Sequence, residues 1–184
     1  MSTNISRVSP RRQCRKFTKG SRLSLLIERL GSPIPKGRPR WVPVGDGSRS
    51  RMITPKRTRE AERDLARVAR TTLGENFEPL TGPVIVNVAA IVARPKRLRR
   101  KADPEGLIWR TARPDADNVR KWVLDSLNGL AFEDDSQVVA GHTFSLYSEK
   151  SGSASTVIEI LSGDEVLEPE VLGAVDMVAE ARAR

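Results

Sequence analysis

The run at residues 83–92, PVIVNVAAIV, is rich in β-branched residues and, Asn87 apart, apolar, a pattern that reads as a buried strand. A buried strand needs neighbours and a covering layer, so the chain has to fold as a sheet with other elements packed on it. Candidates for both lie on either side. Residues 23–30 form a short apolar-rich run that reads as a first strand or its lead-in. Residues 137–147 and 156–161 read as two later strands, with 148–155 as the hairpin loop between them. Ala61, Leu65, Val68, Ala69 and Leu73 recur at helical spacing and stop near Gly74, with Thr58 as the cap and Glu60 and Glu62 in the first turn. Prolines exclude a regular helix over 33–43, so Arg38, Arg40 and Trp41 sit in an extended or looped segment, with an edge strand of solvated charges as one reading, and 45–51 reads as a Gly/Ser loop. The resulting order is strand, helix, strand, helix, strand, strand. It predicts an α+β fold with a small mixed sheet and helices on one of its faces.

The second of those helices lies in an unusual stretch, RPDADNVRKWVLDSLNGLAFEDD, at residues 113–135. Val119, Trp122, Val123, Leu127 and Leu130 share one helical face, and Asp117, Lys121, Asp125 and Asn128 form a polar row opposite. Asp117 is the expected N-cap and Gly129 the expected stop. Asp134 and Asp135 follow a short turn, which allows them to return beside Asp115 and Asp117. Two readings compete. Carboxylates held together repel one another, a cost that a divalent cation removes; Mg²⁺ takes one or two carboxylates with water and substrate phosphate, and a nearby lysine adds charge for the phosphate. Alternatively, the aspartates are ordinary caps and turn formers, and Asp117 with Lys121 is an ordinary i, i+4 pair.

Charge decides which partners to consider. With 32 basic and 23 acidic residues the formal net charge is +9, which favours an anionic partner, nucleic acid first. Residues 94–101 (RPKRLRRK) hold six basic residues in eight positions and read as a mobile loop in which Arg94, Lys96, Arg97, Arg99, Arg100 and Lys101 meet DNA phosphates. Trp109 can pack on the core or stack on an unpaired base, and the single histidine, His142, reads as structural. The lone Cys14 excludes an intrachain disulfide framework and a cysteine-based zinc site. No apolar run is long enough for a membrane and the N-terminus lacks the apolar stretch of a signal peptide, so cytoplasm is the expected location. Composition divides the chain into a basic N-terminal arm at 1–32, a domain at 33–162 and an acidic tail at 163–184 whose partner is open. The outer part of the arm, residues 1–22, has seven basic and no acidic residues. It reads either as a disordered, phosphate-touching segment or as an artefact of the translation start.

Several segments together resemble the signature of the RusA family of Holliday junction resolvases. They are PDADN at 114–118, Lys121, DSLNG at 125–129 and EDDSQV at 133–138, flanked by PKGRPR at 35–40, TPK at 54–56 and YSEK at 147–150. The resemblance covers roughly residues 33–161; Phe132 departs from it, at a position where tryptophan is common in the family. It implies a homodimeric, Mg²⁺-dependent crossover junction endodeoxyribonuclease of DNA recombination and repair, with Mn²⁺ able to substitute. Such an enzyme cuts four-way junctions by paired symmetric nicks, leaving a 5′-phosphate and a 3′-hydroxyl. By residue, it implies Asp115, Asp117 and Asp135 as catalytic metal ligands and Lys121 as the catalytic lysine. Asp125 is expected to be structural, and Asp134 the lesser of the adjacent pair. Arg38, Arg40, Arg113 and Lys150 join the basic loop as expected DNA contacts. The rival readings are a dimer that binds branched or single-stranded DNA without cutting it, and another Mg²⁺-dependent, structure-selective nuclease.

Overall fold

The computed structural model describes residues 24–45 and 49–162. The outer part of the basic arm and the acidic tail lie outside the described residues. The buried run becomes β4 (Val84–Val92), the central strand of a six-stranded mixed sheet in the order β1-β8-β4-β7-β5. Here β1 is Ser24–Leu30, β5 is Ile108–Trp109, β7 is Thr143–Tyr147 and β8 is Ser155–Ser162. β8 pairs antiparallel with β4 on one side and with β1 on the other. Because Ser24–Leu30 pair along their length with β8, they belong to the domain, and the expected arm at 1–32 is corrected on its inner side.

On its other edge β4 pairs in parallel with β7 and with the short β6 (Val138–Ala140). The single strand expected over 137–147 is therefore two strands, and 148–155 is no hairpin, since β4 lies between β7 and β8. The break falls at Gly141, at φ +137°, where a Cβ would sit 1.9 Å from the Val86 carbonyl oxygen. The chain can approach β4 this closely only without a side chain. Arg120 covers the irregularity, donating from Nη1 to Val86 O at 2.9 Å and from Nη2 to Ala140 O at 3.3 Å. Burial pulls the Arg120 pKa below the ordinary guanidinium value.

Two helices, α1 (Lys56–Leu73) and α2 (Ala116–Leu127), cover one face of the sheet, as the periodicity predicts. Val84, Val86, Val88 and Ala90 of β4 meet Leu65 and Ala69 of α1 and Val119, Trp122, Val123 and Leu127 of α2 in a single core. Arg29 of β1 joins the two helices: its guanidinium lies 5.5 Å from the centroid of the buried Trp122 ring, and its Nε donates to Asp64 at 2.8 Å. Hydrogen bonds from Arg67 and Arg29 hold the Asp64 carboxyl below the usual carboxylate range. Helix α1 starts at Lys56 after Pro55, so Thr58 is not its cap and no acid lies in its first turn. The supposed loop at 45–51 is in part β3 (Arg49–Ile53), which forms a separate two-stranded sheet with β2 (Arg40–Val44). Among the described residues, no helix is long and apolar enough to cross a membrane.

Gly141→Ala tests the close approach to β4. The substitution is expected to lower unfolding free energy by about 2 kcal/mol or more, read by urea denaturation. A variant as stable as the wild type would show that β4 and the β6–β7 break do not require the missing side chain.

Candidate active site

Helix α2 is held at its outer side by the segment at 33–39. The Lys36 N–H donates to Asn118 O at 3.2 Å, and its ammonium pairs with Asp125 and, at 3.5 Å, with Glu62 of α1. The Gly37 N–H donates to the buried Thr58 hydroxyl at 3.1 Å, and a Cβ on Gly37 would lie 2.8 Å from that oxygen. The lysine and the glycine of PKGRPR are thus packing requirements, and the following Arg38 is delivered to the surface.

The start of α2 is fixed from the other direction by Arg110. This buried guanidinium donates to the carbonyls of Ala112 at 2.5 Å, Arg113 at 2.6 Å and Pro114 at 2.8 Å. It therefore shapes the turn that leads into Asp115. The N-cap position belongs to Asp115 rather than Asp117, and the Asp115 side chain makes no capping hydrogen bond.

The acidic residues divide into two groups. Asp125 is bound to Lys36. Asp134 caps the 3₁₀ turn Asp135–Gln137, accepting from the Ser136 N–H at 2.9 Å, and bonds from Ser136 hold its carboxyl below the usual range. Both have the ordinary structural roles that such residues usually have. Asp115, Asp117, Lys121 and Asp135 are exposed, and none has a side-chain hydrogen bond or ion pair among the described residues. In particular, Asp117 and Lys121 do not form the pair that their spacing allows.

These free carboxylates are hard oxygen donors of the kind that Mg²⁺ takes, and a protein site of one or two such carboxylates suffices when substrate phosphate supplies further oxygens. Among the described residues, no three acidic, histidine or cysteine side chains converge to hold a metal by themselves. The cause lies in their supports. Asp115 and Asp117 ride on the start of α2, whereas Asp135 rides on a turn anchored by the Gln137 amide, which donates to Leu80 O at 3.0 Å and Gly82 O at 2.8 Å.

Beside Asp115 runs a groove of about 690 Å³ lined by Lys36, Arg38, Arg57, Arg113 and Asn118. A second hollow of about 340 Å³ shares Arg38 and Arg57 and extends to Arg40. Of the arginines expected to meet DNA, Arg38 and Arg113 line the groove, and Arg38 and Arg40 line the hollow beside it. Arg57 is an addition that sequence reasoning passed over, since it looks like any charge at a helix start and is placed only by the fold.

Other expected contacts are redistributed. Lys96, Arg97, Arg99, Arg100 and Lys101 are exposed, but Arg94 is 1% exposed and is corrected to a structural role. Its Nε donates to Ser148 O at 2.8 Å, its Nη1 to Pro104 O at 2.6 Å and its Nη2 to Gly106 O. Together with the 3₁₀ turn Lys96–Leu98, this gives the basic segment a defined course where a mobile loop was expected. Lys150 is also withdrawn from the free cations: its side chain is 15% exposed and pairs with Glu105 at 2.7 Å. His142 is exposed and stacks on Phe144, with ring centroids 6.0 Å apart.

Residues 31–160 match the family described as Endodeoxyribonuclease RusA. The chain belongs to the RusA family. A relative from Bacillus subtilis (strain 168), named "Uncharacterized protein YqaN", is 35% identical over 126 residues, covering 65% of this chain and 85% of that one. The family match begins beyond β1, at Gly31, and includes the PKGRPR segment, α2 and the turn bearing Asp135.

The two arginine roles in the basic segment can be separated by stability. Arg94→Ala strands three carbonyls and is expected to cost about 2–4 kcal/mol in chemical denaturation, while Arg97→Ala stays within about 0.5 kcal/mol of wild type. Equal stability of the two variants would remove Arg94 as the brace.

Proposed function

We propose that this chain is a divalent-cation-dependent endonuclease that resolves four-way DNA junctions by paired symmetric nicks. One observation carries the reading: of the aspartates in the acidic stretch, Asp125 and Asp134 are committed to structure, while Asp115, Asp117 and Asp135 stay free on the surface of a basic protein. Uncommitted carboxylates beside a cationic groove weaken simple phosphate binding, so their presence favours chemistry over binding alone. Membership of an endodeoxyribonuclease family supports the same assignment.

In this reading Asp115 and Asp117, completed by Asp135, hold Mg²⁺ or Mn²⁺. The chemistry that such a cation supplies when bound is charge neutralisation at a phosphate and activation of water. The protein's own groups do the rest. Lys121, free and one helical turn beyond Asp117, offers its ammonium to the charge that builds on the phosphoryl oxygens or the leaving 3′-oxygen. Arg38, Arg57 and Arg113 grip the backbone that runs through the groove. Arg110 acts at one remove, by fixing the carbonyls of the turn before Asp115. The exposed cations of residues 96–101 extend the phosphate contact and make affinity fall with salt.

Paired nicks call for two equivalent sites, which a two-fold dimer provides. The sheet face opposite the helices supports self-association. Leu26, Trp109 and Phe144, exposed by 57%, 71% and 40%, lie on it together with Ala89, Ile91 and Val157 and the hydrogen-bonded Asn87 and Glu159. Trp109→Glu on this face is expected to halve the sedimenting mass and to turn paired nicks into single, uncoupled ones. An unchanged mass would move the interface elsewhere.

The decisive assay is nicking of a synthetic mobile four-way junction with Mg²⁺, comparing wild type with Asp117→Asn. The variant keeps the shape and loses the charge, so cleavage is expected to fall by at least about a hundredfold while junction binding persists or tightens. Tight binding without nicks in either protein would leave a non-catalytic DNA binder. Equal cutting of junction, flap and linear duplex would leave a nuclease without junction selectivity.

A further inference from the structure

The β2–β3 ribbon stands apart from the main sheet, and its described strand residues are exposed except for the half-buried Ile53. A two-stranded ribbon is marginal in water by itself, and it normally hides its large apolar side chains. This one instead shows Trp41 at 67% and Met52 at 57% exposure. The register sets them directly opposite each other, and Pro43 faces Ser50 on the same side of the ribbon. The other side carries Arg40 beside Ile53, Arg51 beside Val42 and Arg49 beside Val44. The two faces therefore differ in kind: one is uncharged, with an indole and a thioether at its centre, and the other carries three guanidinium groups. Neither strand contains an acidic residue among the described positions.

The position of the ribbon identifies what it meets. Arg40 is both the first residue of β2 and part of the hollow that continues the basic groove through Arg38 and Arg57. Nucleic acid lying in that groove runs onto the arginine face. On linear duplex the opposite face would have nothing to touch, because every base is stacked and paired. Where duplex arms diverge, a ribbon can enter the fork, with one face against a backbone and the other against an unstacked base. Indoles stack on any base, and apolar side chains, methionine among them, wedge between base steps.

We propose that the β2–β3 ribbon reads the branch point: Trp41, backed by Met52, stacks on an exposed base at the fork, while Arg40, Arg49 and Arg51 hold the adjoining phosphates. The inference rests on DNA being the partner, as in the proposed function, but it concerns binding selectivity and does not depend on cleavage.

The test uses the full chain in EDTA, so that no strand is cut, with affinities for a four-way junction and a linear duplex of equal length read by fluorescence anisotropy. Trp41→Ala is expected to weaken junction binding at least about tenfold and duplex binding less than about twofold, while Trp41→Phe stays within about threefold of wild type. Arg49→Ala with Arg51→Ala weakens both substrates and flattens the salt dependence. Melting temperature and sedimentation of the free proteins are measured alongside, and Met52→Ala provides a milder lesion in the same face. Equal weakening of both substrates by Trp41→Ala, or no weakening of either, overturns the proposal. A changed sedimenting mass also overturns it, because Trp41 is then a contact between copies of the chain. If selective loss is seen while wild type never nicks a junction, the branch-reading role stands and the nuclease reading falls.

Discussion

The parallel pairing of β4 with β6 and β7 is the constraint on which the rest depends. Parallel neighbours cannot be joined by a tight turn, so the chain leaving β4 must cross over one face of the sheet before it returns. Everything between Val92 and Val138 is that crossover: the basic segment, the short β5, helix α2 and the turn bearing Asp135. Helix α2 is therefore a core element. Trp122, Val123 and Leu127 on its inner face are fully buried, which leaves its outer face fixed relative to the sheet. Polar residues on that outer face inherit the rigidity of the core without being part of it, a suitable arrangement for a site that must hold charge at the surface.

Given that scaffold, the electrostatics separate the acids committed to structure from those left without a partner. A carboxylate at a helix start or a turn normally finds a donor nearby, as Asp134 does with Ser136 and Asp125 with Lys36. Asp115 occupies a cap position yet does not cap, and Asp117 has Lys121 one turn away yet does not pair. The chain carries a net charge of +9, so cations outnumber anions along it. The place of Asp115 beside Arg38, Arg57 and Arg113 gives the groove a negative end. That polarity suits the proposed chemistry, because a surface that merely attracts phosphate has no use for carboxylates.

Much of this was legible because it was periodic. The apolar spacing of α2 and its stop before Gly129, and the continuous apolar run of β4, appear in the structure nearly as written. What the sequence concealed was set by partners far away along the chain. The break at Gly141 follows from close approach to Val86, and Thr58, expected as a cap, lies inside the helix with its hydroxyl accepting from the Gly37 N–H. The β2–β3 ribbon was obscured by proline and glycine, which signalled loops on both sides of strands too short and too charged to show alternation. The candidate acidic site was half legible: the carboxylates could be listed, but which of them were free depended on neighbours such as Lys36 that only the fold supplies.

The arginines show why charge counting alone misleads. Arg29, Arg94, Arg110 and Arg120 are all turned inward, and all but Arg29 act chiefly as clamps on backbone carbonyls. Guanidinium suits that work: its planar fork of donors satisfies several carbonyls that loops and a broken ladder leave without partners. Lysine offers its donors from a single point and cannot bridge the same span. The composition that suggests a DNA-binding surface is therefore shared between two tasks. Arg94 fixes the course of the segment on which Lys96, Arg97 and Arg100 stand, and Arg110 fixes the turn that presents Asp115. Buried arginines shape the backbone and exposed ones face the solvent, so the arrangement of the surface charge depends on the charge that is hidden.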